Sequence, residues 1–309
     1  MAPKRDFLSM LDVRDDLVGL LELAAKIKNR TKAGEPYEPL RGKSLAMIFE
    51  KASTRTRVSF EVGMTQLGGH ALFLNPNDLQ VGRGETIADT ARVLSRYVDG
   101  IMYRAYRNEH VVEFARHATV PVINGLDDKE HPCQIATDLF TAQEHRGQLK
   151  GKKLAYVGDG NNVCNSLLLG CAILGIRMAA AVPEGYEPDP HLLAAARRIG
   201  KETDAVLEVV RDPFEAVTDA DVVYTDVWVS MGMEKEREER ERLFRAYQVN
   251  GKLLSAAKPD AVVMHCLPAH RGLEITDDVM DGPRSIVFDQ AENRLHVQKA
   301  ILARYLAGE

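Results

Sequence analysis

The chain has 309 residues, a length at which two domains of about 150 residues each are expected. Its net charge of −5 gives no electrostatic reason to expect a nucleic-acid partner, and a composition that is 45% hydrophobic and 28% charged is that of an ordinary soluble globular protein. The longest apolar run, at 167–176, is too short to cross a bilayer, and the N-terminal stretch has no signal-peptide core. The four cysteines show neither CxxC nor zinc-ligand spacing, so we expect a reduced, cytoplasmic protein without a membrane segment.

Short apolar segments of the strand type alternate with amphipathic segments along nearly the whole chain. The first series of predicted strands is 44–49, 70–74, 100–104 and 120–124. The second series is 153–158, 177–182, 205–210, 221–226, 261–266 and 284–289. Alternation of this kind is typical of parallel sheets covered by helices on both faces. We therefore expect an α/β protein made of two doubly wound parallel-sheet domains of similar size.

A donor-rich stretch, Ser53-Thr54-Arg55-Thr56-Arg57, follows the first predicted strand and opens a predicted helix. A helix N-terminus carries unpaired N–H groups and the positive end of the dipole, so a loop there binds anions, phosphate above all. The hydroxyls add donors, and the guanidinium groups suit phosphate oxygens. The plainer interpretation is a serine N-cap followed by solvated arginines. The Gly-x4-Gly-Lys pattern of a Walker loop is absent from the sequence.

Two predicted helices carry patterns that the structure can test. The helix that opens with the donor-rich stretch should bury a broad apolar face formed by Val58, Phe60, Val62, Met64 and Leu67. The run at 233–245 carries charges of both signs, with Glu236 and Arg240, and Glu238 and Arg242, at i,i+4 spacing. We expect that run to be a solvated helix face held by weak ion pairs.

Three further stretches place chemistry at the carboxyl ends of predicted strands, where open α/β folds bind ligands. HPCQ at 131–134 opens a helix, DVWVSMG at 226–232 puts an aspartate at a strand end, and HCLPAHRG at 265–272 puts Cys266 at another. A lone histidine at such a position is more often structural. A cysteine there is either a reactive thiolate or a small buried residue.

These four motifs, in this order, resemble those of the ornithine carbamoyltransferases. The resemblance extends from FEKASTRTR at 49–57 to AENRLHVQKAIL at 291–302 and so covers essentially the whole chain. The first two motifs are shared with aspartate carbamoyltransferases. The Asp-x-x-x-Ser-Met-Gly and His-Cys-Leu-Pro motifs are what the ornithine branch has instead, and they carry the substrate assignment.

The resemblance implies two substrate sites and a catalytic set. Carbamoyl phosphate would be bound by Ser53, Thr54, Arg55, Thr56, Arg57, Gln80, Arg104, His131, Pro132, Cys133, Gln134, Cys266, Leu267 and Arg294. L-ornithine would be bound by Asn162, Asp226, Ser230 and Met231. The catalytic residues would be Cys266, Arg104 and His131, with Cys266 receiving or pairing with the proton of the attacking amine. No metal or other cofactor is expected.

The resemblance also implies an assembly and a division of the chain. The family forms homotrimers with shared sites, in which the position of Gln80 reaches the phosphate of a neighbouring subunit; whether trimers assemble further is left open. The polar turn at 145–153 separates the two series of strands. We therefore expect a carbamoyl-phosphate-binding domain at 1–146, which takes back the C-terminal helix 290–309, and an ornithine-binding domain at 147–289.

Three other interpretations compete with this one. VGDGNN at 157–162 matches the start of a dinucleotide-binding loop through Gly158 and Gly160, but Val163 stands where that fingerprint has a glycine or alanine. An aspartate carbamoyltransferase would lack the last two motifs. A catalytically dead relative would have a broken phosphate loop or no Cys266, whereas this sequence has an intact loop and the cysteine. The direction of the reaction in the cell, biosynthetic or catabolic, is open.

Overall fold

The computed structural model describes residues 4–75, 79–80, 84–229 and 234–309. It divides into two compact units, Met1–Thr137 with Glu292–Glu309, and Asp138–Ala291. The sequence places the boundaries at 146/147 and 289/290 instead. Both observed crossings lie inside helices, Pro132–Arg146 and Val287–Leu302, so no turn or glycine in the sequence marks them.

The first unit contains a parallel sheet of four strands in the order β2-β1-β3-β4. The strands are β1 Ser44–Phe49, β2 His70–Leu74, β3 Gly100–Arg104 and β4 Val122–Leu126. The helices that begin in this part of the chain are α1 Leu17–Lys32, α2 Thr54–Gln66, α3 Ile87–Leu94, α4 Asn108–His117 and α5 Pro132–Arg146. β1 and β3 are buried along almost their whole length, as expected for a sheet covered on both faces.

The second unit contains a parallel sheet of five strands in the order β7-β6-β5-β8-β9. The strands are β5 Lys153–Val157, β6 Arg177–Ala181, β7 Leu207–Val210, β8 Val222–Thr225 and β9 Val262–His265. The helices are α6 Asn162–Leu174, α7 Pro190–Thr203, α8 Pro213–Val217, α9 Arg237–Phe244, α10 Gly251–Leu254 and α11 Asp277–Met280. The chain then returns to the first unit through α12, Val287–Leu302, so the predicted fold is confirmed.

One predicted strand is wrong. The segment 284–289 forms only a single bridge, from Ser285 to Val263 of β9, and α12 begins at Val287. Only two residues lie between the turn at 281–284 and the start of α12 at Val287, which is too few to form a ladder of strand hydrogen bonds. The second sheet therefore has five strands rather than six.

The apolar face predicted for α2 is only half correct. Phe60, Met64 and Leu67 are buried, whereas Val58 and Val62 are 52% and 38% exposed. The buried residues recur every three to four positions, which is one stripe of the helix. Val58 and Val62 lie four positions apart and form a second, exposed stripe.

Most of the long apolar run at 167–176 belongs to α6, whose residues Val163–Ala172 are all buried. Within the described parts of the chain, no helix combines the length and the apolar character needed to span a bilayer. All four cysteines are free thiols.

Each sheet has one point at which the strand order reverses. In the first unit this point lies between β1 and β3, and in the second it lies between β5 and β8. Loops that follow the strands on either side of such a point diverge and leave a crevice at the carboxyl edge of the sheet, where ligands bind. Ser53 follows β1 and Arg104 ends β3; Asn161 follows β5 and Asp226 follows β8. Two of the four sequence motifs, the one at 53–57 and the one that begins at Asp226, therefore flank these crevices, while HPCQ and HCLPAHRG follow the adjacent strands β4 and β9.

Candidate active site

The donor-rich loop of the first unit begins α2 in the expected way. Ser53 is the N-cap, with an extended backbone and a side chain that accepts a hydrogen bond from the Thr56 N–H at 3.2 Å. The N-cap interpretation is thus correct as local geometry, and it is compatible with an anion bound at the same helix N-terminus. The two arginines that follow Ser53, Arg55 and Arg57, have different neighbours. Arg57 pairs with Glu61 at 3.3 Å and its guanidinium lies 3.7 Å from the centroid of the Phe73 ring.

Arg55 belongs to a different group, which surrounds His131. His131 and Arg104 are nearly fully buried, and so is Arg294. Burial and the charges of Arg294, Arg104 and Arg55 hold the pKa of His131 well below its ordinary value of 6.5. The imidazole is therefore neutral at pH 7 and carries one N–H donor. Three cations near a neutral ring make this region suited to an anionic ligand.

Arg294 ties three of the sequence-predicted segments together. Its Nη2 donates to the Thr56 hydroxyl at 3.0 Å, and its Nη1 donates to the Gln134 side-chain oxygen. Gln134 and His131 belong to the start of α5, where the His131 carbonyl accepts the first helical hydrogen bond. α12 thereby links the N-termini of α2 and α5 within the first unit.

The other predicted carbamoyl phosphate residues of this unit have local roles. Pro132 is the first residue of α5, and Cys133 is fully buried with its thiol donating to the Asn124 carbonyl at 3.3 Å. Burial raises the pKa of Cys133 to about 12, so it remains a thiol at neutral pH. Gln80 is exposed.

The second unit brings Asp226 and Cys266 into contact. The Cys266 Sγ donates to Asp226 Oδ1 at 3.0 Å, and the Asn161 side-chain amide donates to Asp226 Oδ2 at 2.8 Å. Asp226 is 5% exposed, whereas Cys266 is partly exposed. The sequence left Cys266 as either a reactive thiolate or a small buried residue, and in the structure a second negative charge beside the carboxylate would be unfavourable. In this arrangement the sulfur is a donor, and a cationic amine beside the pair would favour loss of the thiol proton.

His265 organises the backbone next to Cys266. Its Nδ1 accepts a hydrogen bond from the Leu267 N–H at 2.9 Å, so its Nε2 carries the proton and donates to the buried Glu274 at 3.0 Å. The Leu267 backbone lies in the left-handed region at φ 59° and precedes a cis peptide bond to Pro268. The imidazole thus supports the turn that presents Cys266 and Leu267.

A metal ion at this position does not fit the hydrogen bonding. Ligand atoms of Asp226, His265 and Cys266 lie within 4.8 Å of one another, a spacing that a cation can bridge. Both ring nitrogens of His265 are already engaged, however, one with Leu267 and one with Glu274. Binding a metal would break one of these buried bonds. The expectation of no metal stays a prediction.

Of the other residues that the resemblance implies for ornithine binding, the structure describes only one. Asn162 is the first residue of α6, while Ser230 and Met231 lie outside the described residues. Two residues that support Asp226 and His265, namely Asn161 and Glu274, were not predicted from the sequence. Asn161 is the N-cap of α6 as well as the donor to Asp226, and a capping asparagine directly after a strand was a readable signal. Glu274 gave no local signal, because it reaches His265 through folding alone.

The glycine-rich loop after β5 is packed by protein rather than shaped for a dinucleotide. A side chain on Gly160 would overlap the backbone of Tyr186 and Pro188, and the Gly160 N–H donates to the Tyr186 carbonyl at 2.9 Å. Asp159, the residue before it, is paired with Arg240. The glycine is therefore needed for the close approach of a neighbouring loop.

Two family models match consecutive parts of the chain. Residues 5–144 match the carbamoyl-P binding domain of aspartate/ornithine carbamoyltransferase, and residues 150–305 match its Asp/Orn binding domain. Together the two matches cover nearly the whole chain, and they divide it between the two series of predicted strands.

Curated relatives and solved structures are similar along their full lengths. The chain is 60% identical to an ornithine carbamoyltransferase of Methanoculleus marisnigri, over 99% of this chain and 98% of the relative. It superimposes on the solved ornithine carbamoyltransferase from Pyrococcus furiosus with a TM-score of 0.96 at 56% identity, covering 99% of this chain and 98% of the other. For the enzyme from Thermus thermophilus the TM-score is 0.86 at 44% identity, covering 98% and 99%.

Proposed function

The chain belongs to the aspartate/ornithine carbamoyltransferase family, and we propose that it transfers the carbamoyl group of carbamoyl phosphate to the δ-amine of L-ornithine, giving L-citrulline and phosphate. The observation that carries this proposal is the Asp226–Cys266 contact at 3.0 Å, at the strand ends of a domain whose partner domain gathers three arginines around a neutral histidine. One domain thus suits a dianion and the other suits a cationic amine. A relative from Pyrococcus furiosus, 56% identical, is named an anabolic ornithine carbamoyltransferase, and we propose the same direction, in arginine biosynthesis.

In the first domain the phosphate group would lie on the N-terminus of α2. Ser53, Thr54 and Thr56 supply hydroxyls there, and Arg55 supplies charge. Phosphate is the leaving group, so its negative charge grows as the C–O bond breaks. Donors fixed where that charge develops stabilise the transition state more than the ground state. Arg57 contributes to the positive potential at a greater distance, since it is paired with Glu61.

The carbamoyl carbonyl would face Arg104 and His131. Attack on the carbamoyl carbon forms a tetrahedral intermediate with negative charge on the former carbonyl oxygen. A buried guanidinium and a neutral imidazole N–H are both donors to that oxygen, and neither needs to lose a proton. Gln134 and Arg294 are bonded to each other and hold the surrounding wall of the site.

In the second domain Asp226 and Cys266 would receive the substrate's amines. The hydrogen bonds that Asp226 accepts from Asn161 and Cys266 come from neutral donors, so a bound ammonium would supply the positive charge that balances the carboxylate. Aspartate would instead bring a second carboxylate toward Asp226, which is unfavourable. The attacking δ-amine must be neutral, and we assign its proton to the Cys266 sulfur or the Asp226 carboxylate beside it.

A parallel assay of carbamoyl acceptors tests the proposal. The purified enzyme with carbamoyl phosphate should form citrulline from L-ornithine, and it should show little or no carbamoylation of N-acetylornithine, putrescine or L-aspartate. The first two acceptors lack a free α-amine or the α-carboxylate, so they report whether the whole amino acid is recognised. Preferential carbamoylation of aspartate would contradict the assignment and favour the other branch of the family.

We also propose that the active form is a homotrimer in the cytoplasm. The outer face of α2 carries an open groove of about 620 Å³ lined by Thr54, Arg57, Val58, Glu61, Val62 and Thr65. Its two valines are exposed and lie next to the phosphate-binding loop, which favours an interface that shares the site. Four free cysteines agree with a reducing compartment.

A further inference from the structure

Arg240 on α9 differs from the solvated helix residue that the charge pattern predicted. Its neighbours Arg237 and Arg242 are exposed, whereas Arg240 is 6% exposed. The predicted pair with Glu236 is present, with Arg240 Nε donating to the carboxylate at 2.8 Å. The other edge of the guanidinium faces inward, and its contacts there are not those of a surface charge.

The guanidinium of Arg240 joins three separate segments of the second unit. Its Nη1 donates to Asp159 at 2.8 Å and to the Trp228 carbonyl at 3.1 Å. Its carbon lies 4.8 Å from the centroid of the Tyr186 ring, at cation–π distance. One turn later, Phe244 packs edge-on against Tyr186 at 4.9 Å. The inner face of α9 is thus built around these contacts.

Both members of the ion pair are buried, since Arg240 and Asp159 are each 6% exposed as whole residues. Burial raises the pKa of Asp159 to about 6, and the charge and hydrogen bond of Arg240 oppose that rise. Removal of one partner from such a pair leaves a buried charge without compensation, which is more costly than the loss of a surface pair. Arg240 therefore constrains Asp159 firmly.

The two segments held by Arg240 are the ones that present the proposed ornithine contacts. Asp159 lies two residues before Asn161, and Trp228 lies two residues after Asp226. Asn161 and Asp226 are bonded to each other at 2.8 Å. A single guanidinium thus connects the loop after β5 to the loop after β8.

We propose that Arg240 is a positioning residue for ornithine, which acts by holding the Asp159 and Trp228 loops together so that Asn161 and Asp226 keep their places. The inference rests on the proposed role of Asp226 in binding ornithine. Arg240 has no part in binding carbamoyl phosphate, whose expected contacts in the first unit belong to other segments. Its loss should therefore affect the two substrates unequally.

The test compares Arg240→Gln with Arg242→Gln, an exposed arginine on the same helix. For Arg240→Gln the KM for ornithine should rise at least about tenfold, while the KM for carbamoyl phosphate stays within about twofold. Arg242→Gln should leave both unchanged. Parallel changes in both KM values, or an unchanged KM for ornithine, would overturn the proposal.

Hydrogen exchange separates this inference from the proposed function. Amides at 158–164 and 225–229 should exchange faster in Arg240→Gln than in Arg242→Gln. Equal exchange would refute the positioning role of Arg240, and this result would hold even if the wild-type protein proved to make no citrulline. If Arg240→Gln does not fold, Arg240→Lys serves in its place. Lysine keeps the charge next to Asp159 but loses the fork that reaches Trp228, so ornithine affinity should fall by less, still without a matching change for carbamoyl phosphate.

Discussion

At the scale of single residues, the proposed binding residues of the two units lie in opposite electrostatic surroundings. His131 is kept neutral among cations, so that it donates without adding to their repulsion. Asp226 accepts hydrogen bonds from two neutral donors, Asn161 and Cys266, so the ammonium of the proposed substrate would supply the positive charge. Each arrangement gathers charge that a bound ligand of opposite sign would balance. Such arrangements are expected at binding sites.

The suppressed pKa of His131 predicts how stability depends on pH. Below pH 6.5 an unfolded histidine binds a proton that the folded one refuses, so the unfolded state gains protons and stability falls as the pH drops. At pH 5.5 this one residue should cost about 1 kcal/mol relative to pH 7.5. His131→Gln lacks this pH-dependent loss, so the melting temperature of the wild type should fall relative to that of the variant as the pH drops. A constant gap between the two melting temperatures would contradict the prediction. His296, also buried, is present in both proteins and cancels.

The contact between Cys266 and Asp226 predicts a specific kinetic defect. Cys266→Ser keeps a hydroxyl donor for Asp226 but cannot ionise near neutral pH, so ornithine binding or the chemical step should weaken while carbamoyl phosphate binding is retained. The pH profile of kcat/KM for ornithine should lose or shift its thiol-dependent limb.

A matched control for Cys266→Ser is Cys171→Ser, in the buried helix α6. That variant should lower thermal stability and leave the ornithine kinetics unchanged. If Cys266→Ser behaved in the same way, with altered melting and normal kinetics, Cys266 would be a packing residue only.

At the scale of elements, α2 separates two arginines that look equivalent in the sequence. Arg55 lies near His131, whereas Arg57 lies on the exposed side with Glu61 and Phe73. Arg55→Ala should lower kcat/KM roughly a hundredfold, which is a loss of about 3 kcal/mol of transition-state stabilisation. The reason is that it would remove the proposed charge-assisted contact to the leaving phosphate. Arg57→Ala should lose clearly less. Steady-state kinetics of the two variants at equal folded concentration decide it, and equal losses would show that the separation of the two side chains does not matter.

The strands were predictable because their residues carry the signal themselves. β1, β2 and β3 were predicted with their observed bounds, since each is a compact apolar run that ends at a polar or glycine-containing turn. The segment at 284–289 has the same composition but became a bridge and a helix start. Its fate depends on the length of chain available before α12, which composition does not report.

The site was predictable to the extent that it is local. The N-cap Ser53 and the position of His131 before a helix follow from the local sequence, and so do the strand-end positions of Asp226 and Cys266. The contact between the last two side chains was not predicted. The bridge from Arg294 to Thr56 spans more than two hundred residues, and no pattern near either residue announces it. Arg240 was predicted to be solvated because i,i+4 spacing describes the helix surface and says nothing about what packs against it.

At the scale of the whole molecule, the proposed trimer makes a prediction that no single variant tests. If Gln80 acts on the phosphate bound to a neighbouring subunit, then Arg55 and Gln80 of one complete site come from different chains. Arg55→Ala and Gln80→Ala should each be impaired alone. Co-expressed in equal amounts and mixed at random, they should assemble trimers in which about a quarter of the sites contain both residues intact, so specific activity should recover to about that fraction of wild type. If both residues served the same chain, every site in the mixture would lack one of them, and activity would stay at the mean of the two variants. Co-expression of Arg55→Ala with Arg104→Ala is the control, because both residues lie in the same unit of one chain and no mixing can restore a complete site.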